Sequence, residues 1–249
     1  MELYIIRHGQ SVNNALPDDQ PRVQDASLTE LGQKQAERLA AYLADGRNRD
    51  PRYSPATGHA EREDEATFGI TNLYCSPMHR ALQTTLPVAA AVGLKPEVWI
   101  DIHEHGGVYQ ATPDGIVGYT GRTRAQVASE FPDYVLPEGL TENGWWNAAL
   151  GSEPYYTAAG RAIKVAAELK RRALEAPVQP DGRPTRIMMI SHGTFIDALI
   201  KALLNQLPNR SFFYLQYNTG ITRIDFVEKE RLLLRYINRV PHLTPDMIS

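Results

Sequence analysis

The sequence predicts an α/β fold. It reads as a three-layer sandwich with a mostly parallel central sheet, helices on both faces and an inserted, partly helical segment able to cover an active site. Three observations carry this. Short apolar runs alternate with amphipathic helical segments, the pattern of strands joined by helical crossovers. Several of those runs stop abruptly at a reactive or cationic side chain. A long aromatic-rich stretch with no clean period separates the third run from the fourth.

Leu3-Tyr4-Ile5-Ile6 reads as a buried strand ending at Arg7-His8-Gly9, where Gly9 permits a sharp turn. Residues 15–26, with Pro17 and Pro21, read as a loop. Thr29 can cap a helix over 30–44 that places Ala36, Leu39, Ala40 and Leu43 on one face, with Gly46 ending it. Residues 46–69 are rich in charge, Pro and Gly, and read as an exposed polar insertion. Ile70 to Cys75 is a second strand. Ser76-Pro77-Met78-His79-Arg80 then opens a helix to Val92, with Ala81, Thr85, Val88, Ala89 and Val92 on its apolar face and Gly93 closing it. Val98 to Ile102 is a third strand, followed by His103-Glu104-His105-Gly106-Gly107.

The covering insertion, about 105–156, carries Tyr109, Tyr119, Trp145, Trp146, Tyr155 and Tyr156. Its aromatics read as packing residues more than as substrate contacts. Residues 157–175 form a strong helix and 177–184 a Pro/Gly loop. Arg186 to Ile190 is a fourth strand, ending at Ser191-His192-Gly193-Thr194. The next helix turns Ile196, Leu199, Ile200 and Leu203 inward. The tail holds three β-rich runs, 211–217, 221–226 and 231–237, the last two suited to a hairpin. The 249 residues form a single domain carrying the two insertions.

Net charge is −3 and the pI about 6.2, which argues against a nucleic-acid or membrane surface as partner. Any affinity for an anion must come from a local cluster of cations. Cys75 is the single cysteine, so no intramolecular disulfide forms, and it reads as a buried spectator. No run reaches the length of a membrane span, and no leader precedes the first strand, so a cytoplasmic protein, monomer or homodimer, is expected.

His8, Arg80, Glu104 and His192 all follow the carboxyl ends of expected strands. If those strands are parallel, the four groups meet on one sheet edge, where open α/β sheets bind ligands. Arginine beside histidine suits an anionic phosphate. These residues resemble the histidine phosphatase superfamily, in its phosphoglycerate-mutase-like branch. Arg7-His8-Gly9 with Asn14 resembles the N-terminal signature. Leu28-Thr29 with Gly32 and Gln35-Ala36 is similar to the next block. Ser76-Pro77, Arg80-Ala81 and Gln83-Thr84 are similar to a third, and Ser191-His192-Gly193 resembles the second histidine motif.

The resemblance implies a metal-independent phosphatase acting on small-molecule phosphomonoesters, with no cofactor. His8 is the implied nucleophile and Glu104 the implied acid. Arg7, Arg80, Asn14 and His192, the last as a third cation if protonated, hold the phosphoryl oxygens. A cofactor-dependent phosphoglycerate mutase-type phosphotransferase is the alternative. The mutases grip a carboxylate with arginines just after the acid, whereas here His105-Gly106-Gly107-Val108-Tyr109 follows. Arg122-Thr123-Arg124 could reach over, or simply open a helix.

Each residue also has a plainer reading. Asn14 can cap a loop, His192 can be a core histidine, Thr194 can cap a helix, and Asp101 or Glu97 can replace Glu104 as the acid. A metal held by His103 and His105 with Glu104 or His192 is a minor alternative, as is a non-catalytic phosphate-binding module. A serine hydrolase is disfavoured, because Met189 stands where a nucleophile elbow needs glycine before Ser191.

Overall fold

The computed structural model describes residues 1–17, 20–49, 67–177, 179–180, 182–228 and 231–249. Most of the expected insertion at 46–69 lies outside the described residues. One six-stranded sheet organises the rest. Its strands are β1 (Glu2–Arg7), β2 (Asn72–Cys75), β3 (Glu97–Val98), β6 (Arg186–Ser191), β7 (Ile221–Glu228) and β8 (Arg231–Arg239), in the order β3-β2-β6-β1-β7-β8. The first four named are mutually parallel; β7 and β8 add an antiparallel hairpin. The sheet is thus mainly parallel.

β1 and β6 are buried on both faces, so they read as unbroken apolar runs rather than alternating ones. Alternation decides only which layer each residue serves. Tyr4, Ile6, Leu73, Cys75, Met188 and Ile190 face one core with Leu39 and Leu43 of α2 (Glu30–Leu43) and Leu82 and Val88 of α3 (His79–Val92). Leu3, Ile5, Tyr74, Ile187 and Met189 face the other, with Val165 and Leu169 of α5 (Tyr155–Glu175) and Ile196 and Leu199 of α6 (Gly193–Leu203). Two helix pairs therefore sandwich the sheet, as expected.

Local signals act where the sequence places them. The Thr29 side chain accepts from the Gly32 N–H at 3.0 Å and starts α2. Gly93 closes α3 at φ 70°. Two expectations need correction. The third strand is only Glu97–Val98; Ile100–Ile102 turn into a 3-10 helix that buries Ile102 and delivers the next residues to the sheet edge. Residues 211–217 form no strand. Lys201 takes the carbonyls of Asn209 and Phe212, and Asp197 takes the Tyr214 N–H, so these groups go to α6 instead of a ladder. Just ahead of the expected loop, Val12–Ala15 is a one-turn helix α1 with Ser11 as its cap.

The covering segment holds a small hairpin, β4 (Tyr109–Thr112) with β5 (Gly115–Gly118), then α4 (Arg124–Glu130) and tight turns. Trp145 and Tyr155 are buried and Trp146 half-buried, as packing residues; Tyr156 is exposed. Gly107, at φ 71°, lies so close to the Trp146 ring that a side chain would strike it. No helix among the described residues is long and apolar enough to cross a membrane.

Candidate active site

Strand register makes the site. β1 and β6 pair with Arg7 opposite Ser191, so His8 emerges beside His192. β2 pairs with β6 on its other side, Cys75 opposite Ile190, so Ser76 emerges next to His192. The His8 and His192 ring centres lie 5.0 Å apart. Gly9 serves contact rather than turning. Its φ is not positive; a Cβ there would stand 2.5 Å from the Gly32 carbonyl oxygen, and one on Gly32 would collide with Gln10. The two glycines let the loop after β1 press against the start of α2.

His8 is oriented from both sides. Its Nδ1 lies 2.6 Å from the Gly9 carbonyl, so that nitrogen carries the proton and donates. Nε2 then has the lone pair, and the Arg80 Nε–H donates to it at 3.1 Å. Burial, then Arg80 and Arg7, hold the imidazole well below its ordinary pKa. Neutral His8, with Nε2 free of a proton, is the form a nucleophile needs. The supports were not evident from sequence: the Gly9 N–H donates to Thr84 Oγ1 at 3.0 Å, and Asn218 Nδ2 to the His8 carbonyl at 2.8 Å.

Arg7 donates through one terminal nitrogen to the Gln216 carbonyl at 2.7 Å, while its buried Nε has no partner. His192 is held by Ser76, whose Oγ lies 2.7 Å from Nε2; its buried Nδ1 is unpartnered. Burial, Arg80 and His8 depress the His192 pKa strongly, so the third cation expected there is a neutral imidazole. With Ser76 donating to Nε2, the Nδ1–H is a neutral donor into the same space. Nε of Arg7 and Nδ1 of His192 are two buried donors awaiting acceptors.

Glu104 follows the 3-10 turn and meets the first turn of α6. Its carboxylate accepts from the N–H groups of Thr194 (3.2 Å), Phe195 (2.9 Å) and His105 (2.8 Å). A carboxylate at a helix N-terminus answers both the free amides and the dipole. Its charge reaches Arg7 and Arg80. Asp101 and Glu97, the rival acids, are exposed. Thr194 is the second residue of α6, not its cap. Asn14 closes the capping box of α1: its Oδ1 accepts from Ser11 N and Oγ, and lies 3.4 Å from Asn218 Nδ2. It caps the loop and still reaches the residue that holds His8.

The other readings lose ground. His103 turns into the core, where burial pushes its pKa down to about 3, while the His105 ring stacks edge-on with Tyr155. Among the described residues no cluster of three His, Cys, Asp or Glu could hold a metal. Ser191 is buried and donates to the Ile102 carbonyl at 2.7 Å, away from His192. Arg124 is spent on the carbonyls of Pro137, Leu140 and Leu136. Cys75 is buried, with its thiol pushed up to about 12.

A mainly parallel sheet that gathers two arginines, two neutral histidines and a helix-held carboxylate at one edge defines an α/β protein with a cluster of buried donors where such sheets bind ligands. The comparisons give the family: residues 3–58 and 55–239 match the model of the histidine phosphatase superfamily (branch 1), and the chain belongs to that superfamily. It is 23% identical over 230 residues to a probable phosphoglycerate mutase GpmB of Yersinia enterocolitica, spanning 92% of this chain and 86% of that one. Among solved structures it resembles a mycobacterial glucosyl-3-phosphoglycerate phosphatase complexed with VO3. There the TM-score is 0.55 at 22% identity, over 96% of this chain and 99% of that one. It also resembles a phosphoserine phosphatase of Entamoeba histolytica bound to 3-phosphoglyceric acid, with TM-score 0.56 at 21% identity, over 98% and 99%.

Proposed function

We propose that the protein is a metal-independent phosphomonoesterase working through a phosphohistidine on His8. The observation that carries this is the His8 ring itself: buried, neutral, with its proton fixed on Nδ1 and its lone pair on Nε2 facing the Arg80 Nε–H, with the charge of Arg7 also acting on the ring. Phosphoryl transfer asks mainly for positioning and for donors on the three equatorial oxygens. Arg7 Nε, the Arg80 guanidinium, His192 Nδ1–H and the Asn14 amide supply them.

In the first step the His8 Nε2–P bond forms, the ester P–O bond breaks, and Glu104 hands its proton to the departing alkoxide. In the second, Glu104 takes a proton from water, whose oxygen attacks phosphorus. The N–P bond returns its pair to Nε2, and phosphate leaves. Thr194 donates to Glu104 by the longest of its three hydrogen bonds, the one most readily given up when a proton sits on that oxygen. The superfamily and the names of the two structural neighbours support hydrolysis; the curated relative keeps the mutase alternative in view.

Acid-quenching after labelled substrate should trap an acid-labile, base-stable phosphoprotein that His8→Ala lacks, with turnover falling to background. Activity should survive EDTA and fall with vanadate. Label and turnover persisting in His8→Ala would move the nucleophile elsewhere. Rapid isomerisation of 3-phosphoglycerate, primed with 2,3-bisphosphoglycerate and without phosphate release, would make the protein a mutase.

A further inference from the structure

Glu104 is carried by a loop. β3 ends at Val98, the chain reaches Glu104 through the 3-10 turn Ile100–Ile102, and it leaves through Gly106 and Gly107, both with positive φ, 91° and 71°. A reacting group on a loop is placed less tightly than one on a strand or helix, unless surrounding groups lock it. A buried ion pair that the chemistry above does not use provides such a lock.

The pair is Glu153 with Arg161. Arg161 Nε donates to Glu153 Oε1 at 3.1 Å and Nη2 to Oε2 at 2.6 Å, and the two side chains are only 10% and 5% exposed. That fork leaves Nη1, which donates to the carbonyls of Asp101 at 2.6 Å and His103 at 2.8 Å. Glu153 donates its own backbone N–H to the Gly106 carbonyl at 3.0 Å. The pair therefore grips the chain on both sides of Glu104. A further contact reaches the carboxylate's donor: the Arg161 guanidinium lies 4.8 Å from the centre of the Phe195 ring, and the Phe195 N–H donates to Glu104 Oε1 at 2.9 Å. Arg161 is itself anchored in α5, whose Ala162, Val165 and Leu169 are buried in the core. Stability alone is a weak reason for such a pair, because apolar residues of similar volume often serve as well in a buried place. The arginine's donors beyond Glu153 all go to the loop that carries Glu104.

We propose that Arg161, oriented by Glu153, is the positioning residue of Glu104: its guanidinium fixes the loop so that the carboxyl group faces the departing oxygen. This rests on the phosphatase reading, with Glu104 as the acid. Arg161 touches no reacting atom and takes no part in the bond changes.

Two variants test it. Arg161→Lys keeps the charge, but a lysine is a single point that cannot fork to Glu153 while bonding two carbonyls. Glu153→Gln keeps the backbone N–H for Gly106 and one oxygen for the arginine. The readout is kcat/KM on 4-nitrophenyl phosphate and on glycerol 3-phosphate, or whichever alkyl phosphate the native protein turns over best. Arg161→Lys should lower the alkyl value roughly tenfold to a hundredfold, as a misplaced acid does. The aryl value should stay within about threefold, because a phenolate needs little protonation. Glu153→Gln should show the same bias, less strongly. Partial unfolding would lower both values in proportion, so their ratio does not respond to stability. In a Glu104→Gln background, Arg161→Lys should cost less than about threefold on the alkyl ester, since no acid remains to be misplaced. Equal losses on the two esters, no loss on either, or an undiminished alkyl loss in the Glu104→Gln background would overturn the proposal. Each of those results leaves activity of the native protein on the aryl ester intact. Silence of the native protein on that ester, with no phosphohistidine, would instead overturn the phosphatase reading beneath it.

Discussion

The two ends of the central sheet are both crowded with arginine, and they treat it in opposite ways. At the amino end, Glu2 meets Arg223 at 3.0 Å and Arg186 at 3.2 Å, and Asp225 meets Arg223 at 2.8 Å and Arg235 at 2.6 Å. Charges there compensate one another inside the fold. At the carboxyl end, among the described residues neither Arg7 nor Arg80 is in an ion pair; burial is the largest cause acting on each and lowers its pKa, while the charge of Glu104 on both, and of Asp25 on Arg80, acts the other way. The carboxylates differ in the same sense: Glu2 answers cations, whereas Glu104 answers backbone amides. Burying a cation without an ion-pair partner is expensive, and the charges of Glu104 and Asp25 do not outweigh that cost at Arg7 and Arg80. Paired arginines hold a fold together; Arg7 and Arg80 leave their donors for the phosphoryl oxygens proposed above.

The largest expected effect tests the carboxylate side. Glu104→Gln keeps the acceptor oxygen for α6 but cannot carry the proton, so turnover of alkyl phosphates should fall about 10²–10⁴-fold. Aryl phosphates, whose phenolate leaves unaided, should lose much less. Equal losses on both would take the acid's role from Glu104. Next comes the cation side. Arg80→Met should cost about 10²–10³ in kcat, as for a lost transition-state donor, while the unfolding midpoint in urea holds or rises. The same substitution at the other end, Arg186→Met, should destabilise by about 1.5–3 kcal/mol, because it takes one of the cations that Glu2 shares with Arg223, and leave kcat nearly unchanged in the folded fraction. If both variants lose stability alike, the distinction between the two ends collapses.

The smallest effect is graded and comes from pH. Burial lowers the pKa of His103 to about 3 and of His242 to about 4, and those of His8 and His192 also fall. The unfolded chain takes up these protons near pH 6.5, the folded one only further down. Between those limits the unfolded state binds more protons, so stability falls as pH falls, by about 1.4 kcal/mol per pH unit for each such histidine. Asp25, raised by burial, pulls weakly the other way at the acid end. Urea titrations at pH 7.5 and 5 should show the loss. The acid limb of kcat/KM should not appear near pH 6.5, because His8 stays unprotonated below it.

Much of this was legible in the sequence. The apolar runs ending at Arg7-His8, Cys75-Ser76 and Ile190-Ser191-His192 marked three parallel strands and their chemical ends, because a strand buried on both faces must be apolar throughout and its first polar residues mark the edge. Thr29 and Gly93 marked helix ends by local chemistry alone, and the runs 221–226 and 231–237 did pair. Pattern failed where distant groups compete for the backbone. Residues 211–217 look like a strand, yet the buried Lys201–Asp197 pair claims their polar groups.

What the sequence alone determined is the sheet and which candidate residues it collects at one edge, since both depend on periodicity and on a few side chains of unmistakable chemistry. What only the tertiary structure decided is how those residues are tuned. No local signal says that Ser76 holds His192, that Thr84 and Asn218 pin the loop of His8, or that His192 is neutral. Each depends on groups tens to hundreds of residues apart arriving within about 3 Å, the reach of a hydrogen bond, and on burial that only the packed molecule creates.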